Sequence, residues 1–113
     1  LPQIVGMPNA LDLLFSARMV DAQEALGMGL VNGVFPEEGL MQGVSAYATE
    51  LATLVSPRSL KAMKAQIYNA RFQTLAEATD VADEEMHLSL QSEDFKEGVA
   101  HFIEKRTPNF TGK

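Results

Sequence analysis

No cysteine occurs in the 113 residues. A disulfide framework, a thiolate metal site and a thiol nucleophile are therefore excluded, and stability has to come from packing. Nor is there an apolar run approaching the ~20 residues that a membrane-spanning helix requires, and the first residues lack the basic-then-apolar pattern of a secretory signal. These absences lead us to expect a soluble intracellular protein. Basic residues are scarce: 9 Lys and Arg stand against 15 Asp and Glu, a formal net charge of -6. That argues against nucleic acid as a partner, because neutralising phosphates needs a basic face. An initiator methionine is missing as well. The opening "LPQIVGMPN" reads like the middle of something longer, so a fragment or processed chain is expected. No repeat, low-complexity run or linker interrupts the sequence. With 46% apolar residues, its length suits one compact domain with a modest core.

What is present reads as helix after helix. Pro8 suits a first helical position, and Met7, Leu11 and Leu14 then share one face of a short helix ending near Ser16. Asp21 and Glu24 stand in capping-box register before a second short helix that stops at Gly27 and Gly29. "LVNGVFP", with Val31, Val34 and Phe35 around Asn32-Gly33, is the one extended candidate, too isolated to build a sheet. From Glu37 onward Leu40, Val44, Tyr47, Leu51 and Val55 form a helical stripe that ends at Ser56-Pro57. Pro57 opens the next helix, with Leu60, Met63, Ile67 and Ala70 expected inward and Arg58, Lys61, Lys64 and Arg71 in solvent. Thr74 and Glu77 cap another, with Leu75, Ala78, Ala82, Met86 and Leu90 inward. Ser92 caps the last helix. Glu93 and Asp94 lie in its first turn and Lys105 and Arg106 in its last, the order a helix dipole favours, while Phe95, Val99, Phe102 and Ile103 line its apolar stripe. The expected fold class is all-α: short helices followed by three longer amphipathic ones.

Three features bear on chemistry. Asp80, Glu84 and His87 lie at i, i+4, i+7, and Glu84 with His87 makes a Glu-x-x-His pair of the kind di-iron bundles use. No second copy exists, so the expectation is pairing with the basic face of the preceding helix and no metal site. His101 has no evident partner and is read as a surface or interface residue. Ser16, Ser45, Ser56, Ser59, Ser89 and Ser92 lack a Gly-x-Ser-x-Gly elbow, and the glutamates sit on polar faces that would not tune an acid/base pKa. No catalytic residue is assigned. The third feature is the tail, where Lys105, Arg106 and Lys113 gather around Phe102 and Phe110 in an otherwise acidic chain. Helix-dipole complementation is one reading; an aromatic ring one turn before a lysine, holding a planar base beside a phosphate, is the other. Spacing leaves both open.

"LPQIVGMPNALDLLFSARMVDAQEALGMGLVNGVFPEEGL", "SPRSLKAMK" and "SEDFKEGVAHFIEKRTPNF" resemble, in order and spacing, the C-terminal portion of the enoyl-CoA hydratase/isomerase (crotonase) family. The resemblance runs from Leu1 to the tail. It implies that residues 1–113 are the helical C-terminal region of a larger α/β spiral enzyme whose N-terminal spiral domain lies outside this chain. In such hydratases two glutamates add water across a 2-enoyl-CoA double bond while two backbone N–H groups hold the thioester enolate. Both glutamates would precede Leu1, so Glu24, Glu84 and Glu104 are not promoted in their place. Position by position, Phe102 and Lys105 match the aromatic and lysine that some relatives place near the adenine and 3′-phosphate of coenzyme A. Met86 falls where some have a further aromatic, a departure that still leaves a thioether to pack on a ring. The implied partners are an acyl-CoA substrate, a homo-trimer or hexamer, and the N-terminal half. No cofactor beyond the CoA of the substrate is implied, and the compartment would be bacterial cytoplasm or mitochondrial matrix. Isomerase, dehydratase, dehalogenase and hydrolase activities, or a non-catalytic helical assembly module, are the alternatives.

Overall fold

A computed structural model describes residues 1–113. It contains six α-helices, α1 (Pro2–Ser16), α2 (Ala22–Gly27), α3 (Leu40–Leu54), α4 (Pro57–Asn69), α5 (Leu75–Leu90) and α6 (Glu93–Glu104), with 3-10 turns at Glu37–Gly39 and Ala70–Phe72 and no strand. No helix is long and apolar enough to cross a membrane. Contacts group into two units, Leu1–Val44 and Ser45–Lys113.

In the first unit α1 begins earlier than expected. Pro2 opens a first turn, Gly6 at φ 78° breaks it, and the helix resumes around Pro8 and runs to Ser16, where Ala17 closes it in the left-handed conformation. The expected face of Met7, Leu11 and Leu14 is exposed; Val5 and Ala10, with Ala25 of α2, are the buried apolar residues. Asp21 caps α2 by accepting from the Glu24 N–H at 2.8 Å. The reciprocal half of the capping box is not made, because Glu24 faces the Arg18 guanidinium instead, at 2.6 and 2.9 Å. "LVNGVFP" forms no strand. Phe35 turns its ring onto Gly43, where an added β-carbon would collide with it.

In the second unit α4 packs on α5 and α5 on α6. Four N-termini in the chain carry side-chain caps, and three of them are here: Ser56 accepts from Ser59 N–H at 3.1 Å, Thr74 and Glu77 form a complete capping box, and Ser92 accepts from Phe95 N–H at 3.0 Å. The faces differ from the expected ones. Arg58 is half-buried against Glu85, at 3.2 Å, and Ala62 and Gln66 continue that face, while Met63 and Ile67 are exposed. On α5 the less exposed positions are Ala78, Val81, Glu85 and Ser89; Leu75, Met86 and Leu90 are open. Both shifts have one cause: the stripe read from spacing is the most apolar face, and α4 and α5 meet along a neighbouring face of small and polar residues. The same holds for α6, where Phe95, Val99, Phe102 and Ile103 are all exposed. The buried residues of this unit are Ser56, Ser92 and Asp94. The modest apolar core expected from composition is therefore small, because the stripes are left uncovered rather than turned on one another.

Candidate functional site

Helix α6 and the tail behind it are joined by a network of polar contacts. Asp94, in the first turn of α6, is 4% exposed and binds two other segments at once. Its carboxylate accepts from the Ser56 hydroxyl at 2.5 Å and from the tail N–H groups of Thr111 at 2.8 Å and Gly112 at 3.0 Å, while its own N–H donates to Lys113 O at 3.0 Å. Burial pushes the Asp94 carboxyl up, but these donors outweigh it and hold it below its ordinary value. One turn on, Glu97 receives the Arg106 guanidinium at 2.5 and 2.7 Å and the Asn109 N–H at 2.6 Å. The Arg106 and Asn109 hydrogen bonds bring its pKa down to about 2. Arg106 also donates to Glu104 at 2.5 Å and to Thr107 O at 3.2 Å, and these carboxylates raise its own pKa. The tail is thus strapped along α6 by two carboxylates.

This arrangement separates the basic residues that sequence grouped together. Arg106 is committed to internal hydrogen bonds. Lys105 sits at the C-cap of α6 in the left-handed conformation, φ 53° and ψ 42°, and its ammonium has no ion-pair partner. Phe102, one turn before it, is 80% exposed. Phe110 belongs to the strap: it meets His101 edge-on with ring centroids 6.0 Å apart and lies against Gly98. His101, read from sequence as partnerless, therefore has a ring neighbour, and its Nδ1 lies 3.3 Å from Arg106 O. Met86 is 60% exposed and lines a groove between α4 and α5 together with Arg58, Ala62, Met63 and Gln66. Neither Phe102 nor Lys105 lines that groove. Phe102, in the last turn of α6, and Lys105, its C-cap, are three residues apart, whereas Met86 stands on another element.

Asp80, Glu84 and His87 remain exposed on α5. The acidic partner of the α4 basic face is Glu85, not any of these three. The serines that are buried, Ser56 and Ser92, serve as helix caps. Asp94 is the polar residue that sequence reading missed as a hub. Its place in a first helical turn was legible, but its contacts with Ser56 and the tail span 38 and 17 residues and leave no periodic signal.

Comparison with known proteins puts this arrangement in context. The family model described as Enoyl-CoA hydratase/isomerase matches residues 1–113. A Mycobacterium bovis protein named "Probable enoyl-CoA hydratase" is 34% identical over 98% of this chain, and the 1,2-epoxyphenylacetyl-CoA isomerase of Escherichia coli is 32% identical over 100% of it. The chain spans 43% of the length of each of these relatives. A crystal structure of an enoyl-CoA hydratase from Bacillus anthracis superposes with a TM-score of 0.90 at 28% identity, covering 99% of this chain and 43% of that one. All-helical here, the chain reproduces less than half of a larger fold, and it belongs to the enoyl-CoA hydratase/isomerase family.

Proposed function

We propose that residues 1–113 are the C-terminal helical region of an acyl-CoA enzyme that adds water to 2-enoyl-CoA thioesters, and that this region supplies oligomer contacts and the nucleotide end of the CoA site. The observation that carries the reading is the family correspondence along every residue of the chain. Phe102 and Lys105 support it locally. An exposed ring offers a stacking face for adenine, and an unpaired ammonium three residues further along offers a point charge for the 3′-phosphate. Met86 adds a thioether contact at most at the margin of that site, since it stands on α5 and lines a different groove. CoA arrives as part of the substrate and no separate cofactor is invoked. Addition of water to the double bond needs a general base, a general acid and donors for the thioester enolate. In this reading those groups lie in sequence outside the segment. The E. coli relative is named an isomerase, which fits a division in which this region binds and residues elsewhere choose the reaction.

Two measurements on the purified chain test this. Hydration of a short 2-enoyl-CoA, followed as loss of enone absorbance, is expected to show no turnover; turnover would overturn the placement of the acid/base groups. Calorimetric titration with CoA is expected to show binding that Lys105→Ala and Phe102→Ala each weaken about tenfold, the scale of one charge-assisted hydrogen bond or one stacked base. The exposed apolar stripes favour a second reading, a helical module that only assembles. Self-association with no affinity for CoA would select that one.

A further inference from the structure

We infer that Glu97 and Arg106 are positioning residues for Lys105, fixing the backbone turn from which its ammonium, three residues beyond Phe102, is offered to a phosphate-bearing adenine nucleotide. The inference rests on the reading that Lys105 meets the CoA phosphate. It starts from a conformational oddity: Lys105 holds a left-handed conformation that normally selects glycine at a helix end, and Ala17 is the one other non-glycine residue with positive φ. Such a conformation persists where neighbouring contacts over-determine it. Here the residues on both sides are held. Glu104, just before, accepts from Arg106 Nε, while Arg106, just after, is clamped in bidentate fashion by Glu97, whose side chain is only 19% exposed. The backbone N–H groups of Lys105 and Arg106 both donate to His101 O, the latter at 3.2 Å. Glu97 further fixes the departing chain through Asn109 N–H. Only the Lys105 side chain is left without a partner in this turn.

The two cations divide the work by their chemistry. A guanidinium fork matches a carboxylate in two parallel hydrogen bonds and suits an internal clamp, whereas an ammonium is a compact point charge suited to a phosphate. Loss of the clamp frees the turn to leave the left-handed conformation, which carries the lysine away from its place one turn beyond the ring.

The ratio of affinities for CoA and 3′-dephospho-CoA, measured by calorimetry on the intact chain, isolates the phosphate contact. Lys105→Ala is expected to remove the preference for CoA. Glu97→Gln is expected to reduce it roughly three- to tenfold with unchanged helical circular dichroism, on the scale of a partly lost charge-assisted contact. The double variant should lose no more than Lys105→Ala alone. A full preference in Glu97→Gln, with the preference lost in Lys105→Ala, overturns the positioning role and leaves the nucleotide reading standing. A preference that survives Lys105→Ala, or a chain with no affinity for CoA, overturns the nucleotide reading itself. Should Glu97→Gln lose helical signal, Arg106→Lys keeps the charge while removing the fork and is judged by the same ratio.

Discussion

Asp94 and Glu97 hold the tail as anions, so protonation undoes what they do. Each has a folded-state pKa below its unfolded value: for Glu97 the fall is from 4.5 to about 2, and for Asp94 the direction is the same from 3.8. A depressed carboxylate contributes stability that is present above the unfolded pKa and lost as pH falls through the folded one. The strap is therefore expected to be intact at neutral pH and to loosen as pH drops from about 4.5 toward 2. Amide exchange at Asn109, Thr111 and Gly112, read by NMR across that range, checks it, with Glu97→Gln expected to flatten the dependence at Asn109. Protection that stays constant down to pH 2 would contradict the role given to both carboxylates. At this scale sequence was a partial guide. Phe102 and Lys105 could be paired because three residues of helix bring them one turn apart, whereas the Ser56 to Asp94 contact depends on how α4 and α6 are brought together and has no local signature.

Capped helix starts were legible, unlike the uncapped start of α1, and helix faces were not, and the difference is one of range. A cap is settled between residues i and i+3, so Asp21, Thr74 and Ser92 could be read as N-caps, and each accepts the expected backbone N–H. Even here competition matters. Thr74 and Glu77 complete their box, with Glu77 held below its ordinary pKa by the Thr74 backbone and hydroxyl donors, while Glu24 leaves Asp21 for Arg18. Thr74→Ala is accordingly expected to destabilise α5 by about 1 kcal/mol, measured as a shift in the urea midpoint with unchanged slope. Which face a helix buries, by contrast, is decided by neighbours. The stripes Leu60, Met63 and Ile67 on α4 and Leu75, Met86 and Leu90 on α5 are the faces a period of 3.6 selects, yet Arg58, Ala62 and Glu85 occupy the contact between these helices. A half-buried Arg58–Glu85 pair adds little net stability there, so the contact is no substitute for an apolar seam.

For the molecule as a whole the decisive feature is the mismatch between apolar content and apolar burial. Val5, Ala10 and Ala25 are the buried apolar residues, while Phe15, Met19, Phe72, Leu75, Phe102 and Ile103 stand largely in solvent. Monomeric soluble domains rarely leave contiguous apolar patches beyond a few hundred Å², and larger ones mark surfaces that another chain or segment covers. Relatives more than twice as long carry further residues that can do this, since the chain spans only 43% of them. The isolated chain is therefore expected to self-associate, with a weight-average mass in sedimentation equilibrium that rises well above 12.3 kDa with concentration, and to bind an apolar dye. Ile67→Glu and Ile103→Glu, at positions 70% and 72% exposed, remove apolar surface without disturbing any cap or the strap, so they should lower the association while retaining the helical signal. A chain that stays at 12.3 kDa up to about 100 μM without binding dye would mean that the uncovered stripes close on themselves in solution. Oligomer contacts would then have to be sought on other faces.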